Sequence, residues 1–444
     1  MFETLRNAWK ITDLRKKILY TLFIVLIFRI GSAVTVPFVD SAVLAEAVAG
    51  ISATGNGVNV MSYLNMISGG GFSQASIFAL SITPYINASI IIQLLSVAIP
   101  ALERLSKEGE AGRKVIGKIT RYCTVGLGLM LGIAYYFMIR NKYEALVKEA
   151  QKGFDAWFAA VVIVLCFVAG SALIMWLGEQ INEKGIGNGI SILLFAGILS
   201  GIPEGATMLW NRFYSYGIAM LGKTTDAVWN MILAVLVLVI FLAIIAFIVF
   251  MSDAERRIPV QYAKRVVGRK MYGGQNTFIP IKVNMSGVMP IILASSIVSM
   301  PSILASFFRW ENNWFLNAFS PSSWVYIIVY FFMIIGFSYF YVTIQYNPTE
   351  MANNLRQNSG AIPGYRPGKP TSDYIKRVLN KVTLIGALFL GLIALFPSVF
   401  GKFTGFYELI LGGTSVMIVV GVALETMQQI ESQMMMRHYK GFLG

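Results

Sequence analysis

The chain has 444 residues, of which 56% are apolar and 13% are charged, and its formal net charge is +14. Soluble globular domains carry about 25% charged residues, so this composition excludes an ordinary soluble protein. Apolar runs of about 20 residues recur along the chain, each long enough to cross roughly 30 Å of hydrocarbon. The sequence therefore predicts a polytopic membrane protein, and it lacks the chain-wide strand pattern typical of a membrane β-barrel.

Ten apolar segments are candidate transmembrane helices. They cover residues 18–36, 75–98, 117–139, 157–177, 186–202, 228–251, 287–308, 323–345, 381–398 and 407–427. The fifth segment is short and the second is interrupted by polar residues. The first lacks a signal-peptide cleavage site, so we expect it to remain as a membrane anchor.

The basic residues between the spans predict the orientation of the chain. If the N-terminus is cytoplasmic, the cytoplasmic segments hold 27 of the 36 lysines and arginines and the outer loops hold 8. This bias predicts that both termini face the cytoplasm. Arg29 lies inside the first span. Its side chain either extends to the membrane interface or pairs within the helix bundle.

Residue types that carry catalysis or bind metals are scarce. Cys123 and Cys166 lie within or beside apolar spans, and the single histidine, His438, is in the C-terminal tail. This usage argues against a disulfide framework, a metal site and most histidine-based catalysis. No Walker A motif is present. We therefore expect no metal and no cofactor, and we do not expect an enzyme.

The segment from residue 37 to 74, between the first two spans, is rich in glycine, serine and asparagine. Its later part, VNVMSYLNMISGGGFS, is too short and too polar to span a bilayer. It is either a re-entrant piece surrounded by protein or water, or an ordinary flexible outer loop. In the first case Gly69, Gly70 and Gly71 would form a hinge, because glycine adopts backbone angles that other residues avoid.

The second span combines branched apolar side chains with polar ones. Ile82 and Ile86 are four residues apart and are expected on one helical face. Pro84, between them, is expected to loosen the local hydrogen-bond ladder. Asn87 and Gln93 need polar partners, which are either groups on another helix or water.

The fifth span begins after a glycine-rich stretch. Gly185, Gly187 and Gly189 lead into the helix, and Asn188 is a plausible N-cap. No strand precedes these glycines and no Walker lysine follows, so they indicate packing of a short helix rather than nucleotide binding.

Further branched apolar residues recur in three spans. Ile190 and Leu194 of the fifth span repeat the four-residue spacing, and Ile292 and Ile418 lie in the seventh and tenth spans. Taken alone, such side chains usually face lipid or the protein core.

Two long basic loops, residues 252–286 and 346–381, lie on the predicted cytoplasmic side. In the first, IPVQYAK alternates like a strand and MYGGQN is typical of a turn, which predicts a β-hairpin. The second should start a helix at Pro348 and form a rigid turn from Tyr365 to Gly368. Such charge reflects the positive-inside bias or anionic lipid, or else it binds RNA phosphates or acidic protein surfaces.

Several motifs together resemble one known family. SIFALSITPYINASIIIQLL, KEGEAGRKVIGKITRY, MWLGEQINEKGIGNGISI, RRIPVQYAKR, IKVNMSGVMP and NPTEMANNLRQNSGAIPGYRPGKPT occur in this order over nearly the whole chain. The set closely resembles the bacterial SecY family, the channel subunits of the protein-export translocon. No single motif is decisive, but the co-linear set is highly specific.

This resemblance implies an all-α fold with ten transmembrane helices in two inverted pseudo-repeat halves. The halves would be residues 1–200, with a re-entrant plug at about 55–72, and residues 228–430, with cytoplasmic loops 252–286 and 346–380. An external hinge loop, 201–227, would join them, and 431–444 would be a cytoplasmic tail.

The resemblance also implies the function: a channel that moves unfolded preproteins across the bacterial cytoplasmic membrane. The channel would release signal sequences and transmembrane segments sideways into lipid, between spans two and three on one side and seven and eight on the other. Asn87 and Gln93 would lie at this lateral gate, and Gly69, Gly70 and Gly71 would be the plug hinge. The apolar pore ring would consist of Ile82, Ile86, Ile190, Leu194, Ile292 and Ile418. Leu194 stands where relatives often have isoleucine, which keeps the lining apolar.

Partners follow from the same resemblance. They are SecE and SecG subunits, the SecA motor ATPase, the ribosome including its rRNA, signal sequences, and the bilayer with its anionic lipids. The residues expected to contact motor or ribosome are Arg256, Arg257, Lys264, Arg265, Arg269, Arg366 and Lys369. A secondary transporter of small solutes is the alternative, but such proteins generally carry coordinating groups near the midplane. A membrane enzyme is disfavoured because no catalytic motif is present.

Overall fold

In a membrane, an apolar segment satisfies its backbone polar groups by folding into a helix, and the described chain is mostly helical. The computed structural model describes residues 2–46, 65, 68–141, 145–146, 153–201, 203, 207, 224–262, 265–267, 270–272, 276–308, 318–319, 323–404 and 410–440. Most of the predicted plug and hinge loop, together with Lys264 and Arg269, lies outside the described residues.

The first seven helices are α1 (Phe2–Lys10), α2 (Thr12–Ala33), α3 (Thr83–Ala98), α4 (Pro100–Lys107), α5 (Glu110–Asn141), α6 (Gly153–Lys184) and α7 (Gly189–Gly201). The next six are α8 (Thr224–Asp253), α9 (Met289–Phe308), α10 (Trp324–Gln345), α11 (Pro348–Gln357), α12 (Lys369–Thr404) and α13 (Ile410–Lys440). The strands are β1 (Glu255–Tyr262), β2 (Arg265–Val267), β3 (Lys270–Tyr272), β4 (Asn276–Lys282) and β5 (Gly360–Ala361).

A helix lies at each of the ten predicted spans within the described chain. By length and hydropathy, four described stretches can cross a membrane: Glu110–Arg140, Asp155–Lys184, Trp324–Gln357 and Lys369–Phe396. Shorter apolar helices cover Thr83–Ala98, Gly189–Gly201, Val239–Asp253 and Met289–Val298. The all-helical membrane architecture is thus confirmed, and ten crossings stay a prediction.

The start of the second span differs from the prediction. Residues 77–82 form turns, with a positive φ at Ser81 (51°), and α3 begins only at Thr83. Pro84 lies in the first turn of α3, where its missing N–H would have no helical partner anyway. The prediction that Pro84 loosens the ladder inside a helix is therefore wrong. The Ile86 amide donates to the Ile82 carbonyl at 3.0 Å, so these two residues still lie one turn apart.

The helices pack as two groups. In the first group α2, α3, α5 and α6 contact one another, and in the second group α8, α9, α10, α12 and α13 do so. The two groups contact each other through α9 of the second group, which packs against α3 and α5 of the first. Helix α1 also contacts α13. Each group has its own apolar core, and a third core contains side chains of both.

The two long basic loops fold into one unit, which we call the sheet unit: β1, β4, β5, α11 and the start of α12. Strand β1 pairs antiparallel with β4 from Glu255↔Lys282 to Gln261↔Asn276, and it also pairs with β5. The alternating residues Ile258 and Val260 are buried beneath the sheet. The predicted strand is confirmed, whereas the pairing of β5 with β1, which joins the two loops, was not predicted.

Candidate functional site

All six predicted ring residues meet in one apolar cluster, which we call the central cluster. Its predicted members are Ile82, Ile86, Ile190, Leu194, Ile292 and Ile418. Ile82 and Leu194 are each 2% exposed, whereas Ile86 and Ile190 are partly buried and pack against the cluster. Ile292 and Ile418 come from the second helix group. The central cluster therefore lies where the two helix groups contact each other.

The α6–α7 turn positions Ile190 and Leu194. The Asn188 side chain accepts a hydrogen bond from the Ile190 amide at 3.1 Å, which confirms Asn188 as the N-cap of α7. A Cβ atom on Gly189 would lie 1.9 Å from the Gly178 carbonyl oxygen. Only glycine at position 189 lets the two helices approach this closely, so the glycine stretch serves packing, as predicted.

Two pairs of buried residues, each pair one turn apart, come from the start of α9 and from α13. They are Val288, which directly precedes α9, with Ile292 of α9, and Ile418 with Val422 of α13; all four are buried in the central cluster. Gly421 allows close contact here, since a Cβ atom on it would lie 2.4 Å from a Val288 methyl carbon. Sequence reasoning missed Val288 and Val422, although their four-residue spacing from Ile292 and Ile418 could have indicated them.

Aromatic side chains complete the cluster on the side of the first helix group. The rings of Phe28 on α2 and Phe78 stack with centroids 5.9 Å apart, and both side chains are buried. Nothing in their local sequence separates them from other aromatic residues of membrane helices, so sequence reasoning missed them.

The predicted plug hinge is a tightly bonded turn. Gly69 and Gly70 have φ values of 66° and 86°, the left-handed region that favours glycine, whereas Gly71 has no positive φ. The Ser73 amide donates to the Asn65 side chain at 2.8 Å, which closes the turn. The glycine conformations agree with the prediction at two of the three positions.

Arg29 also reaches this turn. Its guanidinium donates a hydrogen bond to the Gly69 carbonyl oxygen at 2.8 Å. Of the two alternatives left open by the sequence, the structure shows pairing within the bundle.

The predicted gate residues have different surroundings. Gln93 on α3 accepts a hydrogen bond from the Tyr341 hydroxyl on α10 at 2.6 Å, and this bond joins the two helix groups. Asn87 is buried, at 9% exposure. Of the two kinds of partner that the sequence left open for Gln93, another helix or water, the structure shows a group on another helix. Tyr341 is a functional candidate that sequence reasoning missed.

Four of the predicted basic contacts, Arg256, Arg257, Arg366 and Lys369, lie on or directly beside the sheet unit. Arg256 is exposed on β1, and Arg366 and Lys369 are exposed in the turn before α12 and at its first residue. Arg257 is held by Glu255 at 2.6 Å and lies over the Phe278 ring, 4.6 Å from its centroid. Arg265 begins β2, and the structure does not describe its side chain.

The turn that carries Arg366 is ordered by its neighbours. Gly364 and Gly368 have φ values of 85° and 107°. The Thr371 hydroxyl donates to the Arg366 carbonyl at 2.8 Å, and the Tyr365 and Tyr374 rings lie 4.3 Å apart. The predicted turn is confirmed.

Fold and site together define a class: a helical membrane protein whose two helix groups meet at a buried apolar cluster and at a hydrogen bond between α3 and α10. Comparison with known proteins narrows this class. The family model described as SecY matches residues 76–427. The protein translocase subunit SecY of Streptomyces coelicolor is 43% identical over 451 residues, and that of Halalkalibacterium halodurans is 42% identical over 448; both alignments cover 100% of each chain. The chain therefore belongs to the SecY family, and it is a multi-pass bacterial membrane protein.

Solved structures share this fold. The structure described as that of a protein conducting channel matches with a TM-score of 0.66 at 18% identity, over 94% of this chain and 92% of that one. Sec61 in the canine ribosome-channel complex matches with a TM-score of 0.61 at 17% identity, over the same shares of the two chains.

Proposed function

We propose that this chain is the protein-conducting subunit of a bacterial export channel. It carries unfolded preproteins across the cytoplasmic membrane and releases signal sequences and transmembrane segments sideways into lipid. The observation that carries the proposal is the central cluster, where Ile82, Leu194, Ile292 and Ile418 converge from both helix groups. Membership of the SecY family supports it.

The physics of the cargo explains an apolar constriction. An unfolded chain has one peptide group per residue, and each unsatisfied group costs several kcal/mol in hydrocarbon. The path must therefore be wet on both sides of a short seal. A narrow ring of branched apolar side chains loses its water when empty, and it can yield around a passing chain. The plug, residues 55–72, would add to this seal.

The seam between the helix groups fits a lateral gate. Helix α9 contacts α3 and α5, and Gln93 bonds to Tyr341 beside this contact. A signal sequence passing the gate moves apolar surface from water to lipid at ~25 cal/mol per Å², which gives on the order of 10 kcal/mol for a ten-residue core. That free energy can open a gate held by apolar contacts and a neutral hydrogen bond.

The sheet unit is suited to bind the partner that drives transport, either a motor ATPase or the ribosome. With both termini and the sheet unit cytoplasmic, Arg256, Arg366 and Lys369 are exposed toward a SecA-type motor or ribosomal RNA. Because β1 of the first loop pairs with β5 of the second, a force that a partner applies to one loop would also act on the other. SecE-type and SecG-type subunits would complete the complex, and residues 201–227 would hinge the halves 1–200 and 228–430.

A small-solute transporter fits the site less well. The central cluster offers a polar solute no charged or coordinating group, and such groups define the binding sites of those transporters.

Reconstitution tests the proposal. We expect vesicles that contain the chain with its small subunits, a SecA-type motor and ATP to protect a secretory preprotein from external protease. The matched control is the same preprotein with charged residues in its signal-sequence core, which should stay accessible. Equal accessibility of both preproteins, together with solute uptake by the same vesicles, would favour the transporter instead.

A further inference from the structure

The chain between β4 and α9 enters two different apolar cores in close succession. Met285 is buried in the core beneath the sheet unit, together with Ile258 and Ile281. Val288 is buried in the central cluster, together with Ile292. We call residues 283–288 the link, because they join the sheet unit to the central cluster directly.

A side chain of α13 holds the sheet-unit end of the link. The Gln428 side-chain oxygen accepts a hydrogen bond from the Lys282 ammonium group, at the end of β4. The Gln428 side-chain nitrogen donates to the Asp253 carboxylate, at the end of α8, at 3.4 Å. Gln428 therefore joins α13 to the two elements that lead into and out of the sheet unit.

Glu425 lies about one turn earlier on α13 and faces the other end of the link. A Cβ atom on Gly287 would lie 2.7 Å from the Glu425 Oε1 atom, so the carboxylate occupies the space beside this glycine. Gly287 has a φ of 63°, in the left-handed region that favours glycine. The Glu425 carboxylate thus lies beside the N-terminus of α9, where the helix dipole stabilises a negative charge, and it also attracts Lys282.

The same face of α13 continues into the central cluster. Positions 418, 421, 425 and 428 follow one another at three- or four-residue spacing, which places them on one side of a helix. A Cβ atom on Gly421 would lie 2.4 Å from a Val288 methyl carbon. Ile418 is buried with Ile292 in the central cluster. The link and α13 are therefore in contact from the end of the sheet to the central cluster.

The link is too closely held to absorb a displacement of the sheet unit. The Val283 amide donates to the Ala254 carbonyl at 2.9 Å. A Cβ atom on Gly386 of α12 would lie 2.3 Å from the Val283 carbonyl oxygen. Since Met285 and Val288 are both buried, a movement of the sheet unit would shift Val288 within the central cluster.

We propose that the link transmits the binding of a motor at the sheet unit to the central cluster, and that Gln428 and Glu425 are positioning residues that hold the link against α13. The inference rests on the proposed function, and it names the route by which a docked motor loosens the apolar seal. Such coupling requires packed elements with two arrangements, which here are the closed and the opened central cluster.

The test is preprotein transport by the reconstituted complex, measured as a function of the concentration of a SecA-type motor. Gln428→Leu keeps a side chain of similar size and removes both hydrogen bonds. We expect the maximal transport rate per assembled complex to fall about tenfold, which corresponds to about 1.4 kcal/mol. The motor concentration that gives half the maximal rate should stay the same, because the exposed Arg256 and Arg366 are unchanged.

Gln433→Leu is the matched control. Gln433 is also a glutamine of α13 that accepts a hydrogen bond from a lysine ammonium group, but this lysine, Lys17, lies on α2 and not beside the link. We expect this variant to keep the maximal rate. An equal fall in both variants, or an unchanged rate in Gln428→Leu, would contradict the proposal. A purely structural role for Gln428 would lower only the yield or the thermal stability of the complex, and that result would overturn it too.

A labelling experiment measures the coupling directly. Cys123 and Cys166 are removed and Ile292→Cys is introduced, and the rate at which a water-soluble maleimide labels position 292 is followed. Motor and preprotein should raise this rate, and Gln428→Leu should remove most of the increase. If Gln428→Leu does not assemble, Glu425→Gln, which changes the charge but hardly the shape, should have the same effect. An increase that persists in these variants would refute the link, whereas no increase and no transport without them would count against the proposed function.

Discussion

Replacing Ile292 with asparagine is expected to raise the ion conductance of the empty channel about tenfold or more. Ile292 is 7% exposed and lies in the central cluster with side chains of both helix groups. An amide there would lack a partner at a cost of ~1–3 kcal/mol, which water entering the constriction relieves. Since each 1.4 kcal/mol is a factor of about ten, the wet state should become far more populated. Planar-bilayer recordings of the reconstituted complex measure this directly.

The neighbouring residue provides the control. Ile291 is 1% exposed but belongs to the core of the second helix group. Ile291→Asn introduces the same amide one position earlier, so it should lower stability without raising the conductance per channel. If Ile292→Asn leaves the conductance per channel unchanged, or if Ile291→Asn raises it equally, the central cluster does not seal the empty channel.

The second large effect is expected at the gate, where Tyr341→Phe should let less hydrophobic signal sequences pass. The variant removes the 2.6 Å bond between the Tyr341 hydroxyl and Gln93 and changes little else. Gln93 is exposed and can bond to water, so the net loss is about 1 kcal/mol. One leucine contributes ~0.3–0.6 kcal/mol to membrane insertion. The threshold should therefore fall by about two leucines in a series of signal sequences with graded leucine content.

Tyr339 offers a matched comparison on the same helix. Its hydroxyl donates to the Asn380 carbonyl on α12 at 3.2 Å, which is a bond within the second helix group. Tyr339→Phe should leave the hydrophobicity threshold unchanged. If both variants shift the threshold equally, the effect comes from weakened packing of α10 and not from the bond across the gate.

The helices could be predicted from hydropathy because apolar length alone forces helix formation in lipid. The ends of the helices could not be predicted in this way. Helices α5 and α6 extend to Glu110 and Lys184, beyond the apolar runs at 117–139 and 157–177, because polar turns continue a helix past the hydrocarbon. Helix α3 begins late because Ser81 takes a left-handed conformation and Pro84 fits only a first turn.

Less of the candidate site than of the helices could be predicted from the sequence. Each ring isoleucine looks like any lipid-facing residue, and only the ordered set of family motifs distinguished it. Contacts between distant residues leave no local pattern, so Tyr341 could not be paired with Gln93 across 248 positions. The two-residue strand β5 is likewise too short to show a periodicity. Arg29 is recognisable in the sequence as a charge in an apolar span, but its partner, the Gly69 carbonyl oxygen, is evident only from the folded chain.

Disulfide crosslinking at Ile82 shows directly whether an exported chain passes through the central cluster. Cys123 and Cys166 are first removed, Ile82→Cys is introduced, and a secretory chain with one cysteine is arrested midway through export. Ile163→Cys serves as the control, because Ile163 is fully buried in the core of the first helix group. We expect a crosslink at position 82 that requires the signal sequence, and none at position 163. The absence of any crosslink at position 82, in a complex that still exports the chain, would show that the polypeptide does not pass through the central cluster.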